Sequence, residues 1–164
     1  MIEPRMETLG ETRLVGKMAR MSVTKDATAQ LWREFMPLRH RVVGVADASF
    51  WSVEVYPDLG FFTNFDPERE FEKWAAVPVS TFDSLAEGLE TLLIPAGLYA
   101  VFKYRGKASD VQRMYGWIYG TWIPNSGYTL DPRPHFARMG ADYKPDHPES
   151  EEELWIPVRE EPRP

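Results

Sequence analysis

Residues 71–79 read FEKWAAVPV and residues 153–158 read ELWIPV, and together they decide the fold. Each is a short, apolar, aromatic-containing run ending on an aliphatic residue, a proline and a valine, the composition of a β-strand. Successive side chains of a strand point to opposite faces. With Pro78 aligned on Pro157, Ala75, Val77 and Val79 share one face, in step with Leu154, Ile156 and Val158. That apolar face is expected to lie under helices. Trp74 and Glu153 then fall at equivalent places on the other face.

Outward from these runs the chain reads as two copies of one unit. The first half has a strand around Gly16 (residues 12–23), a helix from about Ala27 to Met36 capped by Asp26, and a strand at FWSVEVY (50–56) before FEKWAAVPV. Leu31 and Phe35 lie four apart with Leu38 three further on, the spacing of one helix face. After a connector at 80–90 the pattern returns: a strand around Gly97 (94–104), a helix from Asp110 to about Trp122 opened by a Ser109/Gln112 capping box, a strand at 136–143, then ELWIPV. Both helices end on an aromatic, an apolar residue and a proline, at Phe35-Met36-Pro37 and Trp122-Ile123-Pro124. The prolines of the helix ends are 87 residues apart and those of the strand ends 79, so the difference belongs to loops. The expected fold is α+β: one domain of duplicated β-α-β-β units with pseudo-two-fold symmetry, an antiparallel sheet with two main helices on one face. Repeat one covers about 12–80 and repeat two about 92–159, and the residues from 160 to 164 read as a frayed end.

Composition narrows the function classes. The 164 residues are 43% hydrophobic and include 6 Trp, 7 Tyr and 9 Phe, enough both to build a core and to line a cavity. With no cysteine there is no disulfide, thiolate metal site or Cys nucleophile, and a cytoplasmic location is expected. The net charge of −6 argues against a direct nucleic-acid partner. Arg33, Arg39, His40 and Arg41 read as a solvated helix end favoured by the C-terminal dipole. No stretch is long and apolar enough for a membrane span. His40, His135 and His147 read as residues of polar loops without metal-ligand spacing, so no metal is expected. No Gly-x-Ser-x-Gly elbow is present.

The residues from 94 to 158 resemble the GyrI-like small-molecule-binding domain, also called the AraC-type effector-binding domain. The motifs are IPAGLYAVF (94–102), WIPNSGY (122–128) and ELWIPV (153–158), with a looser match in the first half through Leu14-Val15-Gly16 and FEKWAAVPV. The resemblance implies a duplicated β-α-β-β fold and a free-standing, integron-associated type of effector-binding protein without a cofactor. It also implies a small organic ligand, cationic and lipophilic, held in an aromatic pocket by a glutamate of the last strand. Glu153 occupies that motif position.

A carboxylate in an aromatic cavity suits an organic cation. A buried charge needs a partner or a proton, and aromatic faces attract cations. The candidate ligand-binding residues are therefore Glu153, Trp74, Trp155, Tyr115, Tyr119, Trp51 and Tyr56, with Trp74 and Glu153 brought by the pseudo-two-fold toward a common central cavity. Each has a plainer reading. Glu153 ends an acidic run, the tryptophans suit a core, and Tyr115 and Tyr119 form an ordinary helical stripe. Glu54 could be a second acid, although a solvated strand face is the default, and Tyr128 reads as an anchor of its turn. Two other functions follow from the resemblance. One is hydrolysis of electrophilic strained rings, with Glu153 as general acid or base. The other is a protein-interaction role of gyrase-inhibitor type, through the acidic loop 146–153.

Overall fold

The structure is a computed structural model that describes residues 2–161; of the expected frayed end, residues 162–164 lie outside it. The elements run β1 (Arg5–Leu9), β2 (Thr12–Met21), α1 (Thr28–Phe35), β3 (Phe50–Val55), α2 (Gly60–Thr63), β4 (Phe71–Val79), β5 (Glu90–Ile94), β6 (Gly97–Arg105), α3 (Val111–Trp117), β7 (Tyr128–Leu130), β8 (His135–Met139) and β9 (Glu151–Glu160). A 3-10 stretch, Met36–Arg41, follows α1; a π-helical stretch, Ile118–Trp122, and a last turn to Asn125 follow α3. The strands form an antiparallel sheet in the order β1-β6-β9-β8-β3-β4-β2-β5, with β7 on β9. No helix among the described residues is long and apolar enough to cross a membrane.

The duplication holds at the level of register. Strands β3 and β8, equivalent in the two copies, pair with each other through Ser52↔Ala137, with Trp51↔Arg138 on one side and Val53↔Phe136 on the other. Leu14 pairs with Pro78 in the first copy as Tyr99 pairs with Pro157 in the second. Each copy also lends its first strand to the other: β1 pairs with β6, and β5 pairs with β2. Glu160 is the last residue of β9 rather than part of a fray. The expected glycine equivalence is replaced: the register sets Gly16, opposite Ala76, level with Val101, opposite Trp155.

Pro78 and Pro157 sit on central strands without breaking a ladder. Each lies beyond the last paired residue on its inner neighbour, Ala76 with Trp51 and Trp155 with Phe136. The carbonyls of both prolines still accept bonds on that side, from the Ala46 and Asp131 amides. A missing N–H costs nothing where the neighbouring strand has ended.

Connection lengths force the sheet to bend. Strands β5 and β6 are joined by Pro95 and Ala96 alone, yet stand six positions apart in the order. A flat sheet would separate them by about 29 Å, whereas three residue steps reach about 11 Å. The sheet therefore curls, and its concave face encloses a core of Leu14, Trp51, Val53, Trp74, Ala76, Ile94, Tyr99, Val101, Phe136 and Trp155. The other face carries two separate cores. One lies under α1 (Val15, Leu31, Phe35, Ala75, Val77, Val79), the other under α3 (Ala100, Phe102, Ile118, Leu154, Ile156, Val158).

Several local expectations change. The Ser109/Gln112 capping box does not form: a 3-10 turn at Ala108–Asp110 precedes α3, and no side chain caps it. Asp26 accepts a bond from the Thr28 amide at 3.0 Å, but the cap position of α1 is Ala27, and no side chain caps that helix either. The second helical run passes through the π-helical stretch and ends at Asn125, one residue after Pro124, so the proline marks its end as expected. His135 is not a loop residue: it opens β8 opposite Glu54 and is 4% exposed.

Candidate functional site

Between the two helix-side cores the sheet carries polar residues. Ser52 and Ala137, both with small side chains, pair at the pseudo-two-fold. Around them on the same face are Glu54 and His135, paired across β3 and β8, with Lys73 of β4 and Glu152 of β9. The alternation that aims Ala75, Val77 and Val79 at α1 also aims Lys73 there, and it aims Glu152 with Leu154, Ile156 and Val158. Both charged residues are buried, Lys73 at 9% exposure and Glu152 at 7%.

Lys73 Nζ donates to Glu54 Oε1 at 2.8 Å, while the buried Glu54 Oε2 has no hydrogen-bond partner. The Glu152 carboxyl is raised above the usual carboxylate value, first by burial; a bond with Tyr143 and the Lys73 charge oppose this, and the Glu54 charge adds to it. Tyr56, Tyr115 and Tyr119 stay phenolic, because burial and then the Glu54 carboxylate push them well above 10.0. Tyr115 and Tyr119 stack at 6.1 Å. Tyr119 Oη lies 2.8 Å from His135 Nδ1, and burial, followed by the Arg133 charge, brings His135 down to about 3, so its imidazole is neutral. The short helix α2 sets Phe62 4.8 Å from Tyr119 and 5.3 Å from His135, and Tyr56 packs 4.8 Å from Phe62. The result is a polar seam walled by rings. Tyr119 also belongs to the π-helical stretch, a departure often found at functional sites.

The seven candidate residues divide between the two faces. Tyr56, Tyr115 and Tyr119 come together in the seam, whereas Trp51, Trp74 and Trp155 are packed in the concave core at 5% exposure or less. Trp51 stacks on Phe136 at 4.2 Å, and Phe136 on Trp155 at 5.2 Å. Trp74 and Glu153 do share that face, but the space expected between the copies is filled by these rings. Glu153 is held by Arg5 at 2.6 Å and Arg138 at 2.8 Å, with the Trp155 indole N–H at 3.3 Å. Burial raises its carboxyl, but the bond from Arg5 and the Arg138 charge outweigh that, and it lies below 4.5. A groove of about 500 Å³ at the strand ends reaches from Ser49 and Lys103 past Arg138 to Glu152 and Glu153. Tyr128 stacks on Trp122 at 6.2 Å, as an anchor does.

Lys73, His135, Tyr143 and Glu152 are not among the residues expected from the sequence, and Glu54, expected on a solvated face, lies in the seam. A signal for two of them was present: Lys73 and Glu152 end the same apolar stripe at equivalent places in the copies.

Comparison with known proteins agrees with this architecture. The chain is 27% identical over 146 residues to the transcriptional regulator BrlR of Pseudomonas aeruginosa, covering 84% of this chain and 48% of that protein. It thus spans about half the length of that relative. Among solved structures, SAV2435 bound to tetraphenylphosphonium superposes with a TM-score of 0.73 at 16% identity, covering 96% of this chain and 94% of that one. The integron cassette protein VCH_CASS2 of Vibrio cholerae gives 0.67 at 14% identity, covering 96% of each. These likenesses show the shared fold, and the GyrI-like small molecule binding domain matches residues 2–159. This chain belongs to the GyrI-like small-molecule-binding family.

Proposed function

We propose that the seam between the helices captures an amphipathic organic cation, with Glu152 and Glu54 as its anionic partners and Tyr56, Tyr115, Tyr119 and Phe62 as its walls. The observation that carries this reading is the pair of buried carboxylates under tyrosines. One has an oxygen without a partner, and the other has a carboxyl raised by burial. Such groups are stabilised by a bound cation and gain little from a neutral or anionic guest. Glu153 is less suited, because two arginines already satisfy it. That SAV2435 is solved with tetraphenylphosphonium on the same fold supports the choice of probe.

The test is calorimetric titration at pH 8 with tetraphenylphosphonium and with tetraphenylborate, its anionic isostere. Binding of the cation alone is expected, weakened at least tenfold in Glu152→Gln and little changed in Glu153→Gln. Equal binding of both ions, or dependence on Glu153 in place of Glu152, would overturn the assignment.

A further inference from the structure

Lys73 has no role in the reading above, yet it is the buried cation of the seam. Its side chain is 11% exposed, and its ammonium is spent on Glu54, whose own side chain is 13% exposed. The register places it where the second copy has Glu152: Lys73 pairs with Glu54 of β3, and Glu152 with Met139 of β8, two strand positions beyond Ala75↔Ser52 and Leu154↔Ala137. Its charge also reaches Glu152, whose carboxyl it lowers. The copies are thus alike in backbone and opposite in charge at one position.

We infer that Lys73 is a built-in counter-cation that sets the charge of the ligand this seam accepts. The inference rests on the cation-binding reading proposed above. Two carboxylates and one ammonium leave a single negative charge, which a monocation neutralises and a dication overshoots. In a site sheltered from water, an uncompensated charge is costly. The ammonium also holds Glu54 in place, so a guest meets Glu152 and the free Glu54 oxygen rather than two open carboxylates. Lys73→Met keeps the length and apolar stem of the side chain and removes the charge. The seam then holds two carboxylates with no internal cation, and a dication becomes the matched guest.

The experiment compares two probes of nearly the same shape, 1-methyl-4-phenylpyridinium with one charge and 1,1′-dimethyl-4,4′-bipyridinium with two, titrated at pH 8 into wild type, Lys73→Met and Lys73→Met/Glu54→Gln. Tetraphenylphosphonium is titrated into each as a reference, and thermal unfolding verifies that each variant is folded. Wild type is expected to prefer the monocation at least tenfold. Lys73→Met should shift the ratio of dissociation constants toward the dication by at least tenfold, and the double variant should return it to the wild-type preference. A shift under threefold, no binding of the dication by a folded Lys73→Met that still binds tetraphenylphosphonium, or a double variant that behaves like Lys73→Met would overturn the inference alone. If wild type binds none of the three cations, the reading of the seam falls, and the role of Lys73 with it.

Discussion

At the residue scale, burial decides which ionisable groups are at odds with water. Glu152 is held above its reference value of 4.5, mainly by desolvation. As pH rises past that value, the unfolded carboxyl loses its proton before the folded one, so the folded state loses stability until its own pKa is passed. Glu152→Gln removes this dependence. Its urea midpoint should exceed that of wild type at pH 7.5, and the difference should close near pH 4. His135 has the opposite sign: its folded pKa of about 3 lies below the reference 6.5. Its contribution is complete above pH 6.5 and is lost as pH falls toward 3, while the unfolded imidazole takes up a proton. His135→Phe should therefore flatten the fall of the urea midpoint between pH 6.5 and 4. Neither shift was legible in the sequence. His135 stands between Pro134 and Phe136 in a run that reads as loop, and only pairing with Glu54 and the cover of Tyr56, Phe62 and Tyr119 take it out of water.

At the element scale, FEKWAAVPV is the strand that the sequence predicts, over the same residues 71–79, because the unbroken apolar run from Trp74 to Val79 suits a strand buried on both faces. Strands β1 and β5 are not legible in the sequence. RMETL and ETLLI are short, carry charges and have no turn signal beyond Gly10 or Pro95, and what makes them strands is a partner from the other copy. Gly16 is the inner glycine of its strand, and the packing gives it a specific task. A β-carbon there would lie 2.0 Å from the Ala75 carbonyl oxygen and 2.7 Å from Ala76 Cα, both main-chain atoms that no rotamer change can move. Gly16→Ala should part β2 from β4 and cost about 1–3 kcal/mol or more, measured by equilibrium urea unfolding. A loss under 0.5 kcal/mol, the range of ordinary surface substitutions, would show that the strands yield without strain.

At the scale of the whole molecule, the exchanged first strands and the shared concave core tie the copies together. Leu14, Trp51 and Trp74 of the first pack with Tyr99, Phe136 and Trp155 of the second. Neither copy buries these rings alone. Residues 1–85 expressed by themselves should lack a cooperative thermal transition, and co-expression with residues 86–164 should restore one; cooperative unfolding of the fragment alone would contradict the shared core. Phe136 is 1% exposed and lies between Trp51 and Trp155, so Phe136→Ala should cost about 3–5 kcal/mol in urea unfolding.

The sequence by itself determined the duplication, the fold class and the apolar faces of the last strand of each copy, because these follow from periodicity and proline placement along a few residues at a time. The tertiary structure decided which polar residues meet. Curling of the sheet turned the face of Trp51, Trp74 and Trp155 into a sealed core and tied Glu153 to Arg5 and Arg138. Separation of the two helix-side cores left the seam in which Glu54, Lys73, His135 and Glu152 gather. Alternation assigns a side chain to a face, but whether that face is filled or left open depends on strands and helices far away in the chain.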